Sequence, residues 1–509
     1  MKTGLFERSL EWEPLAHPTT YEHISFASPP FVPGTRKMTI RRDDELRLEI
    51  LVEGTMPPGE FKERRAALDQ IQAGTFLDPI EFEFDAYMGS TCSLRAHLQE
   101  LPDIAFNNEK PGTHFTQPGR VDRFRRRWAH GVSFPADADV PEFPPLGPGA
   151  WRSDWFANAP HGPVYFRPTT RRRTAKFRRE RDFLNISADE PPAGGGTNYF
   201  DHLVVEANGI RFALSKVPEE HAPSWCNPAS LDFLAPIPDE ETREAVAEIV
   251  SFVVGRRLMQ VGSTLFDGTG NVIEEEVMNP WGQGLQVLCA QGDIRPLPIS
   301  PNPSGDTEEL LTQLVPRYLV ARKPLRLKDA LLTYWLANEA FSGIDLALYG
   351  SAVEALKNGW FGSNRSESGG VWMPEREFSN LLGDLVTAAR GRLAANNAPA
   401  AIGNKIAGAF RMGGGEQLAA FFDELGLAIG DAERAAIKAR NGPAHGGLRA
   451  GADQRELIRH GTAYRTLFER TFLKMIGYDG AYVDRTALGH PARPLDDPCS
   501  GSASGSGPP

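Results

Sequence analysis

The chain has 509 residues, 41% of them hydrophobic and 24% charged, which fits two to four folded domains rather than a disordered polymer. Its formal net charge of −11 argues against a general polyanion binder but leaves room for a local basic groove. Four widely separated cysteines (Cys92, Cys226, Cys289 and Cys499) supply neither a zinc spacing nor a C-x-x-C pair, so free thiols in a reducing compartment are expected, with no metal and no cofactor.

The first residues, "MKTGLFERSLEWEP", carry acids where a signal peptide needs an apolar run. The most apolar helical stretch, 245–255, is too short to cross a bilayer, so a cytoplasmic protein with no membrane contact is expected. Residues 1–320 read as β-rich. Leu46, Leu48, Ile50 and Val52 alternate as in a half-buried strand, and "IEFEF" (80–84) does the same. The runs within 201–217 are joined by Asn208-Gly209, a strong hairpin signal, and 262–277 reads as a second hairpin. Dense proline and glycine between these runs suit the loops of a sandwich or barrel. One helix interrupts the pattern at "DEETREAVAEIVSFVVGRRL", with acids in its first turn and arginines in its last.

From about residue 325 the periodicity becomes helical. Leu327, Leu331 and Tyr334 or Trp335 fall on one stripe, and helical patterns follow at 375–393, 415–427 and 431–440. A last helix carries Tyr464, Phe468, Phe472 and Met475 on one face, more apolar surface than a single exposed helix needs and so a candidate dimer face as well as candidate core. About five helices with short loops predict an all-α bundle over 325–485, followed by a flexible tail at 486–509. The fold class expected for the whole is α+β and multidomain.

Candidate chemistry is sparse. The glycine-rich "AGGGTN" (193–198) and "MGGGEQ" (412–417) lack the lysine of a phosphate loop and read as plain loops. Two basic runs interleave with aromatics: 120–128, and 171–181 with Arg171, Arg172, Arg173, Lys176, Arg178, Arg179 and Arg181. Such runs suit a nucleic-acid backbone, or else a solvated strand face balanced by acids elsewhere.

Arg-x-x-x-x-His occurs four times, at Arg125/His130, Arg440/His445, Arg455/His460 and Arg485/His490. Arg455 and His460 share one predicted helix, where residues five apart point about 140° from each other. Arg440 and His445 differ because Gly442-Pro443 re-aims the chain between them, with Asn441 adding an amide. A histidine that moves protons and an arginine that stabilises a dianionic phosphorane suit metal-free RNA cleavage. Two side chains capping adjacent helix ends would show the same pattern.

The segment "RNGPAHG", placed between the last two helices of a bundle, resembles the signature of HEPN ribonuclease domains. "SAVEAL" (351–356) is similar to that family's first-helix acidic segment, and "TFLKMIGYDGAYVD" (471–484) to the ending of its ApeA-like, abortive-infection branch. The resemblance covers roughly 325–485. It implies catalysis by Arg440 and His445, positioning by Asn441, an RNA substrate and a homodimer. It departs from the family pattern at Pro443. By the same analogy the N-terminal half would sense a phage-derived trigger or restrain the nuclease. The alternative is a non-catalytic nucleotide- or nucleic-acid-binding protein whose bundle only dimerises.

Overall fold

The computed structural model describes residues 19–22, 25–26, 34–42, 47–56, 80–86, 90–98, 113–128, 149–160, 167–170, 177–180, 185–188, 198–217, 227–267, 272–280, 299, 306–440 and 454–500. They fall into two compact units. The first, mostly Met1–Arg243 and Arg256–Ile294, is built on β structure, and the second, mostly Gln313–Pro509, on helices. The α+β expectation therefore holds.

In the first unit, fourteen of the described strands join one sheet. Its main path runs Thr19–Glu22, Thr35–Arg42, Leu48–Met56, Thr113–Trp128, Val272–Met278, Gln260–Phe266, Trp151–Phe156, Ala229–Leu234, Ile210–Lys216, Asn198–Ala207, Arg167–Thr170, with all these neighbours antiparallel. The expected alternation is there: Leu48, Ile50 and Val52 are at most 1% exposed. Asn208 and Gly209 both take positive φ (51° and 77°), the two left-handed residues of a tight hairpin turn whose twist matches its strands.

The strand Thr113–Trp128 is long enough to change partners. On one edge it pairs first with Leu48–Met56 (Glu49↔Arg120) and then with Val272–Met278 (Glu275↔Arg126). Its other edge is taken by Ser90–Leu98.

The second unit contains most of α1 (Glu240–Val253) and α2 (Asp306–Ala321), then α3 (Leu327–Glu339), α4 (Ile344–Phe361), α5 (Glu375–Ala395), α6 (Ala400–Ala407), α7 (Gly414–Leu425), α8 (Asp431–Ala439) and α9 (Gln454–Met475). The unit is larger than the expected 325–485 because its core recruits Glu244–Gly255. Phe252 packs on Phe472 with ring centroids 4.5 Å apart, and Arg322 bonds Glu248 and Glu244 at 2.7 and 2.8 Å. The stripe that starts at Leu327 and the acidic segment 351–356 lie on two helices, α3 and α4, separated before α4 at Gly343, whose φ of 100° an L side chain rarely adopts.

Two expectations are corrected here. Tyr464, Phe468, Phe472 and Met475 are at most 1% exposed, so the α9 stripe is core and presents no dimer face. Phe468 stacks on Tyr334 at 4.5 Å. The segment 486–500, expected to belong to a flexible tail, is packed: Ala492–Pro494 pairs with Ala481–Val483, and Leu495 and Cys499 are buried. Its anchors are buried polar groups that a composition reading does not see, including Asp484, which accepts from Ser500 N at 2.9 Å.

Candidate functional site

Helix α8 has only nine residues and is held at both ends. At its start, Glu433 accepts from the Gly430 N–H at 2.7 Å and forms an ion pair with Arg470 of α9, both side chains 0% exposed. Arg470 also donates to Leu495 O at 2.9 and 3.2 Å and to Ala428 O at 3.1 Å, and its guanidinium lies 5.1 Å from the Tyr482 ring centroid. One fully buried cation thus ties α8, α9 and the segment after α9 together, with its charge paired and its fork of donors used.

The other end of α8 is Arg440, still in the helical region of backbone space. Its Nη2 donates to Glu354 Oε1 at 2.8 Å and its Nη1 to the Tyr464 hydroxyl at 3.2 Å. Glu354 lies on α4, one turn after Gly350. A Cβ on Gly350 would stand 3.0 Å from Arg440 Cδ and 3.3 Å from Tyr464 Cε1, so glycine there leaves the space the arginine occupies. One turn further along α4, Lys357 ion-pairs with the same Glu354 and donates to Gln417 Oε1 of α7 at 3.2 Å.

Two cations thus share one carboxylate, which leaves the cluster positive by one charge. Arg440 and Glu354 keep 23% and 26% of their side chains exposed, whereas Lys357 and Tyr464 are buried. Burial raises the Glu354 pKa, but hydrogen bonds from Lys357 and Arg440 outweigh it and hold the carboxyl below its ordinary value. Burial pushes the Tyr464 phenol up against the opposing pull of Arg440, so it remains a neutral hydroxyl. The result is a partly exposed, net-positive cluster whose guanidinium is held from two sides, an arrangement that can face an anion.

Of the expected catalytic residues, Arg440 is placed in this cluster, while Asn441 and His445 lie outside the described residues. The competing Arg-x-x-x-x-His pairs are accounted for differently. Arg455 and His460 lie on α9 as one continuous helix. Arg485 is buried against Glu469 at 3.1 Å. Arg125 bonds Glu276 at 2.9 Å, and His130 is outside the described residues.

The basic run at 120–128 forms an ion-pair ladder, the balance by acids elsewhere that was one of its two expected readings. Antiparallel register sets Glu274, Glu275 and Glu276 opposite Arg127, Arg126 and Arg125. Arg126 meets Glu275 at 2.6 Å, Arg127 meets Glu274, and Arg123 meets both Glu276 and Glu240. The glutamates Glu274, Glu275 and Glu276 are 2–8% exposed, whereas Arg123, Arg125 and Arg127 keep 28–42% of their side chains exposed. Arg171, Arg172 and Arg173 lie outside the described residues. Arg178 and Arg179 are on the strand Phe177–Glu180, opposite Ser187 and Ile186, and their side chains are not among those described.

The glycine-rich 412–417 does open a helix, but the Glu416 carboxylate already accepts from the Gly413 N–H at 2.7 Å, so the helix carries its own anion. Lys357 and Gly350 carried no sequence signal, Gln417 appeared only as the end of the glycine-rich 412–417, and Tyr464 read as one more member of an apolar stripe. Glu354 was visible only as part of the acidic segment 351–356. No protein-family model, curated protein or solved structure matches the chain.

Proposed function

We propose that the chain is a metal-independent endoribonuclease of the HEPN type, an effector of anti-phage abortive infection whose β-rich half senses a phage-derived trigger or restrains the nuclease. The observation that carries this reading is the setting of Arg440. It is a partly exposed guanidinium held by Glu354 and Tyr464 in a net-positive cluster, on the residue that begins the Arg-Asn-x-x-x-His segment.

In the reaction proposed, the RNA 2′-oxygen attacks the adjacent phosphorus and its proton passes to a base. The bond to the 5′-oxygen breaks, and that oxygen takes up a proton. The products are a 2′,3′-cyclic phosphate and a 5′-hydroxyl. His445 supplies proton transfer, Arg440 neutralises the phosphorane charge and Asn441 positions substrate or His445. Glu354 fixes the plane of the guanidinium, as a bidentate-capable fork requires to match phosphate oxygens. Two proton-transfer steps are best served by two histidines, which favours a homodimer. The absence of any helix long and apolar enough to cross a membrane among the described residues accords with a cytoplasmic effector.

One observation favours the second reading, a non-catalytic binding and dimerisation protein: Arg440 already has both terminal nitrogens engaged within the chain. One assay separates the two. Purified protein is incubated with total RNA in EDTA, wild type beside His445→Ala, and the new 3′ ends are tested for cyclic phosphate. Chelator-resistant cleavage by wild type alone supports the nuclease. Equal rates, or RNA retention with no cleavage by either, support the binding protein.

A further inference from the structure

Trp372 is 57% exposed, yet the loop that carries it, between α4 and α5, is held from several sides. Glu424 of α7 accepts from the Ser366 hydroxyl at 2.8 Å, the Ser368 N–H at 3.0 Å and Trp360 Nε1 at 2.8 Å. Gly369 and Gly370 turn the chain at positive φ (58° and 73°), and a Cβ on Gly370 would stand 3.1 Å from the Phe361 ring. Val371 then bridges Arg411, and the Trp372 N–H donates to Phe410 O at 2.8 Å. One exposed tryptophan needs no explanation by itself. Its surroundings are what single this one out.

Arg411, opposite Val371, is exposed and lays its guanidinium 5.2 Å from the Phe410 ring centroid. Among the described residues no carboxylate pairs with Arg411, with Arg376 in the first turn of α5, or with Lys405 in the last turn of α6. The α7 acids Glu416 and Glu424 already accept from backbone N–H groups. Glu375 and Glu377 lie in the first turn of α5, where the helix dipole favours an acid.

The same loop is joined to the Arg440 cluster. Gln417 donates to Gly370 O at 3.2 Å and accepts from Lys357 at 3.2 Å, and Lys357 shares Glu354 with Arg440. Three side chains thus lead from the Trp372 loop to the guanidinium proposed to face a phosphate. A flat ring on a fixed backbone, with cations that lack acid partners and a positive cluster nearby, matches a single strand. Its bases stack on an aromatic face and its phosphates meet the cations. An apolar protein surface would use the ring and leave the cations without a role. A duplex keeps its bases stacked on one another and offers the ring no free face.

We infer that Trp372 is a stacking platform for an unpaired base of a single-stranded nucleic acid, with Arg411 contacting an adjoining phosphate. The second contact of that strand, at Arg440, rests on the nuclease reading; the stacking does not require cleavage.

The test is binding of a fluorescein-labelled, mixed-sequence single-stranded DNA of about twelve nucleotides to the full chain, read by anisotropy at about 50 and 200 mM salt. DNA has no 2′-hydroxyl, so binding is read without cutting. Trp372→Ala should raise the Kd about tenfold or more, and Trp372→Phe should keep most of the affinity. Arg411→Gln should weaken binding and reduce the salt slope by about 0.7, as for one lost phosphate contact. A strand of abasic residues, equal in charge, should bind wild type and Trp372→Ala alike. A Trp372→Ala protein that binds the DNA like wild type, or loses as much affinity for the abasic strand, would overturn the inference. So would a duplex bound as tightly as the single strand. No binding at about 50 mM salt would also overturn it and leave Trp372 to a protein partner. A chain that stacks the strand on Trp372 but cuts no RNA keeps this inference and loses the nuclease. One that cuts RNA while Trp372→Ala binds like wild type does the reverse.

Discussion

Arg440 and Arg470 are both bound to a carboxylate and both help to place α8, yet they differ in everything that would let an arginine act on a ligand. Arg470 is 0% exposed, paired with a Glu433 that is also 0% exposed, and bonded to two backbone carbonyls. Arg440 keeps about a quarter of its side chain open, and Lys357 competes for its carboxylate. The first is a closed unit whose charge is cancelled where it stands. The second leaves positive charge on a partly exposed cluster. Burial and local charge balance, rather than the presence of a salt bridge, separate a structural arginine from a candidate functional one.

That contrast can be broken by experiment. The largest effect is expected at His445, where alanine should slow RNA cleavage by about 10²–10⁴-fold with little change in thermal stability. His460→Ala, on the surface of a continuous helix, should leave the rate unchanged. Next comes Arg470→Ala, which strands Glu433 without a partner in the interior and should cost about 3–5 kcal/mol of unfolding free energy in urea titration. An Arg470→Ala protein as stable as wild type would remove the basis of the comparison.

Arg440→Ala should do the reverse. Cleavage should fall by about 10²–10³-fold, as for loss of a comparable oxyanion donor, while stability changes by less than about 1 kcal/mol because the pair is partly exposed. If the stability loss at Arg440 matches that at Arg470, Arg440 is a structural residue and the nuclease reading weakens with it.

The smallest effect concerns acid. The Glu354 carboxyl is held below its ordinary value in the folded chain, so its contribution to stability is fully present above that value. It is lost as pH falls through the lower folded value. Comparing urea midpoints at neutral pH with those in acid, Glu354→Gln should lose a few tenths of a kcal/mol at neutral pH and nothing at the acid end. An equal deficit at both ends would mean that packing, not charge, is what Glu354 provides.

Much of the fold was legible in the sequence where a periodicity is local. Leu48, Ile50 and Val52 declared one strand, Asn208-Gly209 declared a separate hairpin later in the chain, and the acid-led 239–258 declared a helix, which ends at Val253 before the expected arginines, because each signal needs only neighbours within a turn or a pleat. The break at Gly343 was missed because the apolar pattern continues on both sides of it. The site was half legible. Arg440 stood out through the motif that follows it, whereas Glu354, Lys357 and Tyr464 lie 86, 83 and 24 residues away in sequence and meet it only after α4, α8 and α9 have packed.

What the sequence by itself determined is which segments are strands and helices, and which side of each is apolar, since those follow from backbone geometry and side-chain type along one segment. What covers an apolar side or neutralises a basic run was decided by tertiary structure. The helical patterns at 375–393 and in the last helix are both legible in sequence, yet Leu381 and Leu385 of the first are exposed while Tyr464, Phe468, Phe472 and Met475 of the second are core. The arginines at 123–127 read either as a nucleic-acid surface or as a strand face balanced by acids elsewhere, and only strand order sets three glutamates, about 150 residues away, opposite Arg125, Arg126 and Arg127. Charge and apolar area are properties of a segment, but their partners are chosen by the chain's return to the same place in space.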